Sequence, residues 1–114
     1  MTKTKKQQVV KTENNENDIV KMYLSDLSDF DGKNQKVRMF SHVSLLPGET
    51  VEYHVHNDEF ESYYILSGNA LYNDNGKELH ISEGTVTFTP SGEGHGITNI
   101  GENNLEFIAL IVLD

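Results

Sequence analysis

Apolar positions along the chain recur in short runs that are rich in valine, isoleucine, phenylalanine and tyrosine and are divided by turn residues. Short alternating runs of this kind are typical of half-buried β-strands. A helix is not indicated, because the nearest approach to a helical pattern, Met22–Phe30, lacks both length and a capping residue. The pattern predicts strands over Ile19–Leu24, Lys36–Leu46, Val51–His56, Phe60–Leu66, Asn69–Asn73, Glu78–Ile81, Val86–Thr89, Gly96–Ile100 and Leu105–Leu113.

The spacing of these runs, roughly ten residues apart, predicts an all-β sandwich or barrel. Asn75-Gly76 lies between two alternating runs, which indicates a tight hairpin. The 114 residues suffice for one domain. We place that domain at residues 18–114, after a polar arm over residues 1–17. Within the arm, Val9 and Val10 favour a short edge strand, and a frayed tail is the alternative.

The composition narrows the possible chemistry and location. The chain has no cysteine, which excludes disulfide scaffolds, thiolate metal sites and cysteine nucleophiles. No apolar run approaches the roughly 20 residues that a membrane helix needs. The basic N-terminal segment lacks the apolar core of a signal peptide. We therefore expect a cytoplasmic protein with no membrane partner.

The net charge of −9 is unevenly distributed. From Met22 onward, four basic residues stand against fifteen acidic ones. Such a surface repels nucleic acid, so we expect no nucleic-acid partner. It also offers few cations to phosphate or sulfate ligands. We interpret Arg38, the single arginine, as a surface or interface residue rather than a substrate clamp.

Three histidines and a glutamate suit a metal site. His54 and His56 are two apart on a predicted strand, so their side chains project from one face. Glu61 opens the next extended run, and His95 follows a turn far downstream. Neutral imidazoles and one carboxylate suit a divalent first-row metal such as Mn, Fe, Co, Ni or Zn. Taken alone, the histidine pair would more often be a polar surface feature, and Glu59 shares strand parity with Glu61 as an alternative ligand.

Two stretches carry a family resemblance. Gly48–Gly68 reads GETVEYHVHNDEFESYYILSG and is similar to the first cupin motif, G-x5-H-x-H-x4-E-x6-G. Gly84–Asn99 reads GTVTFTPSGEGHGITN and resembles the second, G-x5-P-x-G-x2-H-x3-N, without departure. At average residue frequencies of about 5%, agreement at these ten positions has a chance probability on the order of 10⁻¹³ before alternative placements are counted. The resemblance spans roughly Val37 to Leu113.

The resemblance implies a small cupin, an all-β double-stranded β-helix or jelly-roll barrel that is open at one end. It implies one divalent transition metal per chain, held inside by His54, His56, Glu61 and His95. The six-residue gap to Gly68 favours Glu61 over Glu59 as the carboxylate ligand. Structural roles fall to the remaining fixed positions, Gly48, Gly68, Gly84, Pro90, Gly92 and Asn99.

Cupins that resemble this chain commonly form homodimers through back-to-back sheets, with N-terminal strands exchanged. We expect a homodimer in which residues 7–12 pair with or lie against the partner subunit. The alternative is a monomer with a free solubilising arm.

Strand parity predicts which residues line the interior. If Glu61 and His95 face inward, the parity of their strands carries Tyr63, Ile65 and Ile97 inward as well. On the last strand, Glu106 is expected to meet water, so the opposite face lies inside. With Val86 also turned inward, the predicted substrate pocket comprises Ser41, Val43, Tyr63, Ile65, Phe88, Ile97, Phe107 and Ala109. Tyr63 or a metal-bound hydroxide is the acid/base candidate in this apolar pocket, and the alternative to a pocket is a packed core plugged by the metal.

A fold of this kind does not determine a function. Three histidines and one glutamate leave one or two positions open on a six-coordinate metal. We predict a metal-dependent enzyme that acts on a small, mostly uncharged organic molecule, with dioxygenase-, lyase- or isomerase-type chemistry. The alternatives are a non-catalytic module that binds or senses a small ligand, and a barrel in which the metal is only structural.

Overall fold

The structure is a computed structural model that describes residues 6–12, 15–23 and 32–114, with side chains described from residue 32 onward. The described residues form strands and no helix, so none of them belongs to a helix that could span a bilayer. The strands are β1 (Lys6–Thr12), β2 (Asn15–Tyr23), β3 (Val37–Leu45), β4 (Thr50–Val55), β5 (Glu59–Ser67), β6 (Asn69–Asp74), β7 (Lys77–Ser82), β8 (Gly94–Asn99) and β9 (Leu105–Leu113).

These strands form two antiparallel sheets, one in the order β1-β2-β3-β9-β5 and the other in the order β4-β8-β6-β7. Each sheet contributes one face to a shared core, because successive side chains of a strand point to opposite sides. On β9, Phe107, Ala109 and Ile111 are buried while Ile108 and Leu110 between them are only half-buried. The other sheet contributes Tyr72, which is 1% exposed. The all-β prediction is therefore confirmed over the described residues.

The predicted hairpin at Asn75-Gly76 joins β6 to β7. Asn75 and Gly76 have φ angles of 50° and 98°, and the flanking residues Asp74 and Lys77 are paired. Positive φ at both central positions matches a type I′ turn, whose twist suits an antiparallel pair. This turn fixes the register of the two strands.

Asn99 holds together three parts of the chain at one end of the barrel. Its amide nitrogen donates to the carbonyls of Leu45 and Asn103, each at 2.9 Å. Its amide oxygen accepts a hydrogen bond from the Gly101 backbone at 2.9 Å. The side chain is 1% exposed, so these bonds satisfy a buried polar group whose role is structural.

The segment between β7 and β8 departs from the prediction. Val86–Thr89 was predicted to be a strand with Val86 and Phe88 facing inward; the structure has two isolated bridges there, and Val86 and Phe88 are 67% and 57% exposed. Thr87 and Thr89 are buried in their place. The Thr87 hydroxyl accepts a hydrogen bond from the Tyr63 backbone, so the threonines find polar partners inside and the apolar side chains are turned outward.

The N-terminal strands extend the larger sheet within the same chain. Val9 is paired with Val20, and Val10 with Ile19. β2 then pairs with β3, with Val20 opposite Ser44. The sheet therefore runs across the predicted boundary between residues 17 and 18. Contact of residues 7–12 with a partner subunit stays a prediction.

Candidate metal centre

Four side chains from β4, the residue after it, β5 and β8 converge inside the barrel. The Nε2 atom of His95 lies 3.1 Å from Nε2 of both His54 and His56, and 2.8 Å from Oε1 of Glu61. That oxygen is also 2.9 Å from Nε2 of His56 and 3.7 Å from Nε2 of His54. His56, Glu61 and His95 are buried, whereas His54 is half-buried. The structure thus brings together all four residues that the cupin resemblance implies as ligands.

The spacing of these atoms fits a transition-metal ion. Two ligand atoms that each lie about 2.1 Å from a metal and subtend a right angle are about 3.0 Å apart. The separations of 2.8–3.1 Å between His95 and its three neighbours agree with that geometry. A single ion could therefore contact the ligand atoms of all four residues.

The outer nitrogens of the three histidines have their own partners. Nδ1 of His54 lies 2.7 Å from the Glu52 carbonyl, and Nδ1 of His56 lies 2.6 Å from the Glu59 carboxylate. A carbonyl and a carboxylate only accept hydrogen bonds, so in a neutral ring the proton sits on Nδ1 and the lone pair on Nε2. The Nε2 lone pairs of His54 and His56 therefore face the Glu61 carboxylate. Because lone pairs and a negative charge repel one another, a cation between them would stabilise this arrangement.

His95 is held by two hydroxyl groups from neighbouring segments. Its Nδ1 lies 2.8 Å from the Tyr72 hydroxyl and 3.1 Å from the Thr89 hydroxyl. Either oxygen can accept the Nδ1 proton, which leaves Nε2 free to bind a metal. The inward turn of Thr89, which strand parity missed, thus orients a histidine of the candidate metal site.

The electrostatic setting keeps the cluster ready for a cation. Burial acts to raise the pKa of Glu61, but the imidazoles of His54 and His95 beside it oppose burial and hold that pKa at about 2, below its ordinary 4.5. Burial lowers the pKa of His95. At neutral pH, the glutamate is therefore ionised and His95 is neutral, as metal ligation requires.

A cavity of about 320 Å³ adjoins the cluster. Its wall is mostly apolar, with polar groups concentrated at the four-residue cluster and at Arg38. The lining comprises Arg38, Met39, Val43, Val51, His54, His56, Glu61, Tyr63, Phe107, Ala109 and Ile111. A space of this size disfavours the alternative of a packed core plugged by the metal.

The predicted pocket corresponds to this cavity in part. Val43, Tyr63, Phe107 and Ala109 line it. Three more predicted residues, Ser41, Ile65 and Ile97, are buried in the barrel away from the wall. The prediction for Phe88 is wrong: its ring is exposed and packs against Phe60, with 5.1 Å between the ring centroids.

Tyr63 packs directly on the cluster. Its ring stacks on that of His95, with 4.7 Å between centroids and 22° between planes. Burial, followed by the charge of Glu61, raises the pKa of Tyr63 well above its ordinary value. The phenol therefore keeps its proton at neutral pH and can donate a hydrogen bond but not act as a base.

Arg38 lies on the cavity wall, although the sequence interpretation left it, Met39 and Val51 out of the predicted pocket. Its Nε and Nη2 atoms donate to the two oxygens of Glu59 at 2.8 and 2.9 Å. The pairing of β3 with β9 shifts register between Val37 and Met39. A bulge of this kind turns a side chain away from regular alternation, so parity alone could not place Arg38 on the cavity wall. For Glu59, parity with Glu61 was the available signal, but it favoured a ligand role rather than a partner of His56.

Comparison with known proteins agrees with this architecture. A family model described as "Cupin domain" matches residues 41–111. An oxalate-binding protein from Thermotoga maritima is 44% identical over 90 residues, which cover 79% of this chain and 74% of that protein. An oxalate decarboxylase from Bacillus subtilis is 30% identical over 95 residues, which cover 79% of this chain and 24% of that enzyme.

Comparison with solved structures shows the same fold. A protein described as a predicted oxalate decarboxylase from Thermotoga maritima superposes with a TM-score of 0.83 and 37% identity, covering 95% of this chain and 92% of that chain. KdgF from Halomonas sp. has a TM-score of 0.73 and 17% identity over 94% of this chain and 86% of that chain, a likeness of fold alone.

The family match covers more than half of the chain and includes both motifs with their histidines. The resemblance drawn from Gly48–Gly68 and Gly84–Asn99 is thereby confirmed. So is the expected double-stranded β-helix, since the two described antiparallel sheets superpose on a cupin-like relative. The chain belongs to the cupin family.

Proposed function

We propose that this cupin holds one divalent transition metal at His54, His56, Glu61 and His95 and binds a small organic ligand at an open position of that metal. The observation that carries the proposal is the convergence of histidine Nε2 atoms on Glu61 beside a cavity of about 320 Å³. Three nitrogen ligands and one oxygen ligand suit Mn, Fe, Co, Ni or Zn. When bound, such an ion supplies Lewis-acid polarisation of an oxygen ligand.

The size of the cavity and the nature of its relatives support a small ligand. A volume of about 320 Å³ is at the lower end of the range for ligand pockets. The Thermotoga relative at 44% identity is named an oxalate-binding protein, which makes oxalate the first ligand to test. In the first version of the proposal, the protein binds the ligand without converting it to a product.

In the second version of the proposal, the protein catalyses a reaction of the bound ligand, and the position of Tyr63 favours this version. The protonated phenol lies on the cavity wall against His95, so it is a proton donor for a lyase-type reaction on a metal-bound ligand. The Bacillus relative, of which this chain covers 24%, is named an oxalate decarboxylase. Replacement of Tyr63 by phenylalanine removes the proton and keeps the stacked ring, so it would abolish turnover while oxalate binding persists.

We also propose that the protein is a homodimer. The outer face of the five-stranded sheet exposes Tyr64 on β5, and the adjoining segment exposes Val86 and Phe88. Apolar side chains grouped on one outer surface are typical of a protein–protein contact. The partner in this proposal is a second copy of the chain.

The metal and ligand parts are tested together with Co²⁺, whose visible spectrum reports changes in its coordination. We expect the wild-type protein to take up one Co²⁺ per chain and oxalate to shift the spectrum of the loaded protein. The His54→Ala/His95→Ala double variant is expected to lose the ion. It would also lose the stabilisation by bound metal, about 2.7 kcal/mol at a free concentration 100 times the dissociation constant. Unchanged metal content in the double variant would refute the site, and a loaded wild-type protein that binds no oxalate by spectrum or calorimetry would refute the ligand.

A further inference from the structure

Arg38 is the one lysine or arginine among the described residues that line the cavity. The rest of the wall beyond the metal-site cluster and Tyr63 is aliphatic or aromatic. The residue lies at the bulge between Val37 and Met39, and its side chain is 52% exposed. A permanent positive charge thus stands at the boundary between an apolar cavity and solvent.

The hydrogen bonds of Arg38 use one edge of its guanidinium group. Nε and Nη2 donate side-on to the two oxygens of Glu59. A guanidinium carries five N–H groups in a planar fork, so a second edge, formed by Nη1 and Nη2, is left. Nη1 makes no hydrogen bond to any residue in the described part of the chain. That edge has the geometry to bind a second carboxylate with two parallel hydrogen bonds.

The side-on pair also fixes the arginine in place. Glu59 is itself held by Nδ1 of His56 at 2.6 Å, and its side chain is 12% exposed. An arginine that is anchored before a ligand arrives loses less conformational entropy on binding.

Charge balance favours an anion in this cavity. The ion pair of Arg38 with Glu59 is neutral overall, and a divalent metal outweighs the single negative charge of Glu61. The occupied site would therefore be positive, while the chain as a whole carries a net charge of −9. The site is thus a local exception within an acidic protein, and an acidic ligand gains little from the surface outside it.

We propose that the cavity selects a small carboxylate ligand, and that the second edge of the Arg38 guanidinium binds a carboxylate of a molecule whose other oxygens reach the metal. The ligand class is then a small dicarboxylate or a 2-oxygenated carboxylate, in place of the mostly uncharged molecule expected from the scarcity of cations. This inference rests on the proposed metal site and names its ligand class. It also assigns Arg38 a specificity role instead of a surface or interface role.

The test compares wild-type protein with Arg38→Gln and Arg38→Lys variants, all loaded with Co²⁺ to verified stoichiometry. Oxalate, malonate and succinate are titrated by calorimetry, with oxamide as the uncharged analogue of oxalate. We expect Arg38→Gln to lose about 10- to 100-fold in affinity for the best dicarboxylate, the usual worth of a charge-assisted hydrogen-bond pair. Arg38→Lys is expected to recover part of that loss, because lysine keeps the charge without the fork.

Lys36→Gln is the matched control, since it removes the same charge from an exposed position two residues away and outside the cavity wall. We expect its affinity to stay within about twofold of wild type, as for a screened surface charge. Equal dicarboxylate affinity in wild type and Arg38→Gln, or a preference of the wild type for oxamide, would overturn the role of Arg38 while leaving the metal–ligand proposal intact. Failure of the loaded wild type to bind any of these ligands would instead refute the proposed function, and this inference with it.

Discussion

The Glu59 carboxylate lies 2.6 Å from Nδ1 of His56, on the side of the ring away from the metal-facing cluster. A carboxylate in this position fixes the tautomer of the imidazole and increases the basicity of its Nε2. Arg38 holds the other oxygen of Glu59 at 2.8 Å. The chain of contacts therefore runs from the cavity mouth through two charged side chains to a predicted metal ligand.

We expect Glu59→Gln to weaken metal binding without unfolding the protein. Loss of a carboxylate partner of a metal-site histidine typically lowers metal affinity about 10- to 100-fold. Competition with a chromophoric chelator measures the change. Glu83→Gln, which removes the same charge from an exposed turn, is the control and should retain wild-type affinity. Equal metal affinity in both variants would show that Glu59 does not orient His56.

The sequence was sufficient to predict which four side chains converge inside the barrel, because the two motifs hold them at fixed spacings. Strand parity then placed Tyr63, Phe107 and Ala109 on the inner side, since β5 pairs with β9 in regular register from Glu59 to Ile65. These predictions needed only the alternation of side chains along regular strands.

Two differences from the sequence interpretation lie where strands are irregular. At Arg38, a bulge changes the direction of the side chain. In the segment before Pro90, hydrogen bonds to the hydroxyls of Thr87 and Thr89 decide the orientation and turn Phe88 outward. Neither a bulge nor the inward partner of a threonine is visible in a hydrophobic pattern, so such positions need the structure.

Acid is expected to release the metal. Burial lowers the pKa of His95 in the folded protein below its ordinary 6.5. The unfolded chain therefore binds a proton at His95 more readily than the folded chain does. As a result, the folded protein loses stability as the pH falls below 6.5. Glu61 acts in the same direction at lower pH: its pKa is about 2 in the folded protein against 4.5, so its contribution is present above pH 4.5 and is lost towards pH 2. Protonation of the histidines at the candidate site therefore determines the pH at which the metal is released.

We expect the metal content to fall as the pH is lowered from about 7 to about 5, through the range where protons compete with the ion for the imidazole nitrogens. Elemental analysis after gel filtration at each pH measures it, and return to neutral pH with added metal checks that the loss is reversible. Full retention at pH 4.5 would argue against a site built from histidines.

Gly94 gives room for Tyr53 next to His95. A Cβ atom at Gly94 would lie 2.4 Å from the end of the Tyr53 ring, so this ring, which is 48% exposed, would have to shift. We expect Gly94→Ala to cost about 1–3 kcal/mol of unfolding free energy, as for other overpacked sites. Urea denaturation measures the change.

A second substitution separates this steric effect from a backbone effect. In a Tyr53→Ala background, Gly94→Ala is expected to cost much less, because the conflicting ring is gone. Gly101→Ala is the control, since a Cβ there would meet its nearest neighbour at an ordinary 3.5 Å. An equal cost of Gly94→Ala in both backgrounds would show that the ring is not the cause.

The proposed homodimer predicts a mass of twice the 12.9 kDa of one chain in light scattering. Phe88 is 57% exposed beside the outer face of the five-stranded sheet, so we expect Phe88→Ser to shift the equilibrium towards monomer while metal content stays unchanged. Val55→Ser removes a similarly exposed apolar side chain, 51% accessible, from the other sheet and should leave the dimer intact.

Deletion of residues 1–14 removes β1 and keeps β2, so it tests the role of the N-terminal strand separately. A full-length protein of 12.9 kDa at high micromolar concentration would refute the dimer, whereas a truncated protein that dimerises equally tightly would refute only the contribution of the arm.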